Sequence, residues 1–153
     1  MKPLRIAMIS EHASPLAALG GADGGGQNVY VAELSKELAG RGSSIDIFTR
    51  KDDPSLPETW EWQPGVRVIH LTAGPVQRIR KEELLPHMRS FTDGFLKHAR
   101  RRRYDVCHAN FFRSGLAAAE GKSALGLPFV ITFHALGKVR RLHQREADAF
   151  PDS

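Results

Sequence analysis

The sequence predicts an α/β domain built on a parallel sheet, and three observations predict it. Short apolar runs alternate with helical stretches along most of the chain. A glycine-rich loop stands between the first run and the first helical stretch. Polar and glycine-rich residues collect after the runs, at the edge where open parallel sheets hold ligands.

Taken in order, Leu4 to Ser10 (LRIAMIS) is apolar enough for a central strand. Glu11 to Gly26 is a long loop carrying Pro15 and ending in GGADGGGQN, Gly20 to Asn28. Gln27 to Ala39 reads as a helix, with Val29, Leu34 and Leu38 near helical spacing, Val31 and Ala39 filling out that side, and Gly40 and Gly42 ending it. Ser44 to Thr49 alternates and is a second strand. Lys51 to Gly65 holds three prolines with Trp60 and Trp62 and is expected to be a loop. Val66 to Leu71 is a third strand, broken by Ala73-Gly74-Pro75. Lys81 to Arg103 is a helix or helix pair interrupted near Pro86, with Leu84, Met88, Phe91 and Phe95 on one face. Tyr104 to Ala109 is a fourth strand. Gly115 to Leu125 is a helix of small residues suited to close packing. Phe129 to Phe133 is a fifth strand, with His134 just beyond it.

The 153 residues suit one domain with a real core. Hydrophobic content of 41% and charged content of 25% are those of a globular protein. No apolar run approaches the roughly 20 residues that span a bilayer, and the first strand begins without a signal-like leader. A cytoplasmic location is therefore expected. Cys107, the single cysteine, lies in an apolar run and reads as a core residue. A net charge of +5 suits an anionic partner. Nucleic acid is excluded, because Lys and Arg are not interleaved with aromatics in any nucleic-acid motif. Arg100 to Arg103 ends a helix, where cations compensate the macrodipole; peripheral contact with an anionic membrane is the alternative. No His, Cys, Asp or Glu set has metal-ligand spacing.

Glycines let a backbone approach a ligand closely, and a helix N-terminus offers unpaired N–H groups to an anion. Gly25, Gly26, Gln27 and Asn28 are thus a candidate cradle for phosphate or sugar; the plain alternative is a flexible loop that caps a helix. Neither G-x-G-x-x-G directly after the strand nor a P-loop Lys-Ser/Thr pair is present.

Read in order, Gly25 to Leu34 (GGQNVYVAEL), Ile45 to Arg50 (IDIFTR), Tyr104 to His108 (YDVCH) and Val130 to Gly137 (VITFHALG) resemble the N-terminal half of retaining glycosyltransferases of family 4. The resemblance covers nearly the whole chain. It implies a Rossmann-like parallel sheet with helices on both faces, one half of a GT-B architecture. Residues 1–153 are then an incomplete N-terminal, acceptor-side domain, without the C-terminal donor domain and its Glu-x7-Glu motif. Such a fragment is expected to be inactive alone.

The resemblance also assigns residues. Gly25 and Gly26 match the glycine pair at the donor diphosphate or acceptor. Gln27 and Asn28 match a polar pair that bonds acceptor hydroxyls or phosphate. Lys81 and Arg140 match phosphate contacts, and His134 a catalytic histidine near the donor sugar. Phe111 stands where relatives of the mycothiol pathway have tyrosine, and Ala135 where they have Ser or Thr. The implied activity is transfer, with retention, from a nucleoside-diphosphate sugar to a hydroxyl, on a sugar, sugar-phosphate or cyclitol acceptor. No cofactor is required beyond that donor substrate. The rival class is a non-enzymatic α/β module that binds phosphate or nucleotide. A dinucleotide oxidoreductase is disfavoured, since Thr49-Arg50 replaces the acidic residue expected after the second strand.

Overall fold

The computed structural model describes residues 2–17 and 25–136, together with positions 139, 142 and 143. Strands run over Arg5–Ile9 (β1), Ser44–Arg50 (β2), Thr59–Gln63 (β3), Val66–Leu71 (β4), Val106–Asn110 (β5) and Phe129–Thr132 (β6). They form one sheet in the order β3-β4-β2-β1-β5-β6. Every neighbouring pair is parallel except β3 with β4. Helices span Gly26–Gly40 (α1), Met88–Arg101 (α2) and Phe112–Leu125 (α3). The predicted α/β class and its parallel sheet are therefore present.

Alternation along the strands divides the core in two. Ile6 and Met8 of β1 join Ile45, Ile47, Val66 and Val68 under Val31 of α1. Ala7 and Ile9 point the other way, toward Phe48, Phe91, Phe95, Ala117 and Ala118. Helices thus cover both faces. Phe48, Phe91 and Phe95 are buried, and each such ring contributes roughly 1.5–3 kcal/mol through apolar surface removed from water.

Three expectations need correction. The stretch 51–65 is not all loop, because Thr59-Trp-Glu-Trp-Gln63 pairs antiparallel with β4. Its β-branched and aromatic residues favour a strand. Pro57 and Pro64 fall outside the ladder, where proline is tolerated. On α1 the buried stripe is Asn28, Val31, Ala32 and Ser35. Val29 is 42% exposed, while Leu34 and Leu38 are only partly buried against that core. The two polar members of the stripe have partners inside the fold: Asn28 Nδ2 donates to Ser14 O at 2.8 Å and Ser35 Oγ to Met8 Sδ at 3.4 Å. The third helix begins at Phe112 rather than Gly115.

Elsewhere the local chemistry matches the reading. Pro86 falls in the second of two short 3-10 turns, Lys81–Glu83 and Leu85–His87, that precede α2. Leu84, Met88, Phe91 and Phe95 are all buried. A Cβ at Gly115 would meet Ile131 Cδ1 at 2.6 Å, so α3 lies close on β6. Cys107 is buried, and burial pushes its thiol up to about 12. The basic run is partly internal. Arg102 turns toward buried Asp46, its Nε 3.0 Å from Oδ2. Arg67 donates two bonds to the same carboxylate, at 2.8 and 2.7 Å. Burial opposes the charge on Asp46, but these bonds and that of Tyr104 hold its pKa below the usual carboxylate value.

No described helix is long and apolar enough to cross a membrane. The loop glycines 20–24, Gly137, Lys138, Arg140, Arg141 and the tail 145–153 lie outside the described residues.

Candidate functional site

The strand order reverses direction at β1, so β2 and β5 lie on either side of it and their connections leave on opposite faces. A cleft of about 580 Å³ opens at the carboxyl ends of these strands. Gly25, Gly26, Gln27, Asn28, Lys81, Phe111 and His134 all line it, as does Ala135. These residues come from four separate parts of the chain. Arg140, the remaining candidate, lies outside the described residues.

The start of α1 forms one wall. Gly25 is the N-cap, with extended backbone. The amide of Asn28 already bonds Gly25 O at 3.0 Å. Gly26 and Gln27 precede it in the first turn, where N–H groups have no intrahelical acceptor. Among the described residues neither amide meets another acceptor. A Cβ built on Gly26 meets nothing within 4 Å, so this part of the cleft is open.

The side chains of Gln27 and Asn28 are engaged within the protein. Asn28 is buried and takes the Gly25 N–H on Oδ1 at 3.1 Å. Its Nδ2 donates to Ser14 O at 2.8 Å. Gln27 Nε2 donates to Ser10 Oγ at 3.0 Å and reaches Asn110 O at 3.5 Å. These bonds tie the glycine turn to the ends of β1 and β5. What the turn offers a ligand is chiefly backbone N–H.

Facing it are Arg78, Arg80 and Lys81. Arg80 pairs with Glu83 at 2.8 Å. Their segment is fastened by Arg50, whose guanidinium is buried under it. Arg50 Nη1 donates to Pro75 O at 2.7 Å, and Nη2 donates to Gln77 O. Burial lowers the Arg50 pKa from its ordinary value. The residue that disfavours a dinucleotide site thus shapes the basic rim.

The floor holds charges the sequence did not mark as functional. Glu11, just past β1, is 1% exposed. Arg113 Nε donates to its Oε1 at 2.9 Å, Ser114 Oγ donates to Oε2, and His12 Nδ1 lies 2.8 Å from Oε1. Burial alone would raise this carboxyl, but His12, Arg113 and Ser114 overcome it and hold the pKa at about 2. Arg113 also lies 5.1 Å above the Phe111 ring and 5.2 Å above that of Phe112. The available signal was position: Glu11 and Arg113 both follow strands at the ligand edge.

Phe111 and His134 are the described non-glycine residues with positive φ, 76° and 57°. Such backbone is strained for side chains with a Cβ, and this kind of strain gathers at functional sites. Phe111 packs edge-on to His12, 5.3 Å between centroids. His134 Nε2 lies 3.0 Å from Asn110 Oδ1. Tyr30 stands edge-on to His134 at 5.0 Å and to His108 at 6.1 Å, so its ring packs on both. Burial, then the charge of His12, lower the pKa of His134.

Residues 25–151 match the family model described as a glycosyl transferase 4-like domain. The chain belongs to the glycosyl transferase 4-like family. Among curated relatives of this family member, the D-inositol 3-phosphate glycosyltransferase of Corynebacterium diphtheriae is 39% identical over 97% of the chain and 35% of that protein. The protein of the same name from Actinosynnema mirum is 40% identical over 95% of the chain and 36% of its own length. The chain therefore spans about a third of the curated relatives it matches. Among solved structures, a sucrose-phosphate synthase from Thermosynechococcus elongatus matches with TM-score 0.86 and 35% identity, over 91% of the chain and 35% of that protein. The glycosyl transferase 4-like match begins at Gly25, the first residue of the cleft wall that α1 supplies.

Proposed function

We propose that this domain is the acceptor side of a retaining glycosyltransferase, which moves a sugar from a nucleoside-diphosphate sugar to a hydroxyl of a phosphorylated cyclitol or sugar. One observation carries the proposal. Seven residues named from the sequence, the stretch Gly25 to Asn28 with Lys81, Phe111 and His134, line one cleft at the carboxyl edge of a parallel sheet. The names of the relatives, inositol-phosphate and sucrose-phosphate enzymes, agree with a phosphorylated acceptor or product.

The open N–H groups of Gly26 and Gln27 receive phosphate oxygens, favoured by the positive end of α1. Lys81 and Arg78 supply charge from the opposite rim. Retention proceeds by attack on the face the diphosphate leaves, without a protein nucleophile. The protein's part is then to position two substrates and to stabilise charge on the leaving group. Fixed N–H groups and cations meet that need without a cofactor. These 153 residues supply one wall, and a facing donor domain supplies the other; alone they are not expected to transfer sugar.

The test uses the chain joined to a donor domain. Nucleoside-diphosphate release should depend on a cyclitol or sugar phosphate, and NMR of the product should show the donor's anomeric configuration retained. Release that ignores every phosphorylated acceptor, or an inverted product, would overturn the proposal.

A further inference from the structure

We infer that Asn110 is a positioning residue that fixes the tautomer of His134, so that the imidazole shows the cleft a lone pair, and the group it receives is a substrate hydroxyl. This rests on the glycosyltransferase reading only for the identity of that hydroxyl.

The inference follows from proton logic. Ile9 O can only accept, so the Asn110 atom 3.2 Å from it is the amide nitrogen. The other amide atom is therefore oxygen, and it too can only accept. His134 Nε2 stands 3.0 Å from that oxygen and must carry the proton. A neutral imidazole with N–H at Nε2 has its lone pair at Nδ1. Among the described residues Nδ1 meets no partner, and His134 lines the cleft. Asn110 has little freedom to turn over. It is fully buried at the end of β5, and Gln27 Nε2 reaches its backbone oxygen.

The charge state agrees with this geometry. Burial and the neighbouring His12 keep His134 below its ordinary pKa. A neutral acceptor suits a site where a sugar gains positive charge, because an imidazolium would repel it. The cleft is thus divided by polarity. Its glycine end offers N–H groups to an anion, and its His134 end offers a lone pair to an O–H. A phosphate oxygen without a proton suits the first end and not the second.

The test is ring-nitrogen NMR on the 153-residue chain with ¹⁵N-labelled histidine. Above its titration, His134 should show the Nε2–H tautomer with Nδ1 unprotonated. Asn110→Leu should give a mixture of tautomers, and Asn110→Asp should restore Nε2–H while raising the pKa of His134. A wild-type His134 protonated at Nδ1 would overturn the inference, and this needs no variant to fold. An Asn110→Leu protein that folds and keeps a pure Nε2–H tautomer would overturn it too. Inorganic phosphate should shift the Gly26 and Gln27 amides and leave Nδ1 unmoved. Phosphate that protonates or shifts Nδ1 as strongly would contradict the division of the cleft. Failure of sugar transfer in the longer enzyme, with the tautomer as stated, would strike the proposed function and not this inference.

Discussion

Replacing Gly26 with leucine separates binding from folding. The backbone there is ordinary helix start, and a new Cβ meets nothing within 4 Å. Leucine also favours helix over glycine, by up to roughly 1 kcal/mol in a helix interior. The melting temperature should therefore hold or rise. The added side chain stands over the N–H groups of Gly26 and Gln27, the two that the first turn leaves without acceptors. A hydrogen bond to a charged group is worth about 1.5–3 kcal/mol. Losing one weakens binding roughly 10- to 150-fold, at 1.4 kcal/mol per tenfold. Calorimetry with a cyclitol monophosphate, beside thermal melts of both proteins, measures the two effects. In the longer enzyme kcat/KM should fall by a similar factor. A folded Gly26→Leu protein that binds within twofold of wild type would refute the anion cradle, as would a wild type that binds nothing.

Other substitutions test the scaffold. Gly74 has φ +72° and a Cβ there would lie 2.5 Å from the His87 ring, so Gly74→Ala should cost about 1–3 kcal/mol in urea unfolding. Gly115→Ala meets only the tip of Ile131; its loss should be smaller and should shrink further when combined with Ile131→Val. Arg113→Ala leaves Glu11 charged and buried, and should cost roughly 3–5 kcal/mol. Glu11 is depressed from 4.5 to about 2. Its contribution, on the order of 3 kcal/mol, is present above pH 4.5 and fades as pH falls toward 2. Urea midpoints from pH 6 to 2 should therefore fall less steeply in a folded Glu11→Gln protein than in wild type. Buried Cys107, with its thiol pushed to about 12, should resist alkylation at pH 8 until the chain is unfolded.

The parallel core was legible because its strands are short apolar runs punctuated by glycine and proline. β3 was not, since three prolines around Trp60 and Trp62 look like loop chemistry even when all three fall outside the ladder. The inner face of α1 was misread for a related reason: apolar spacing marks a core-facing stripe, yet here Asn28 and Ser35 face inward. The cleft residues from Gly25 to Asn28 could be named from glycine chemistry and helix polarity. Their division of labour could not. Only coordinates show that Asn28 closes the turn on itself while Gly26 stays open. Glu11, Asn110 and Arg113 act through contacts about a hundred residues apart in sequence, and no local pattern encodes such pairs.

Mapping backbone amide shifts while a cyclitol monophosphate is added addresses the acceptor cleft most directly. The changes should concentrate at Gly25, Gly26, Gln27 and Lys81, with His134 following through its ring. Shifts gathered instead around Arg67 and Arg102, or an unmoved Gly26 amide at saturation, would contradict a phosphorylated acceptor held at the carboxyl edge of this sheet.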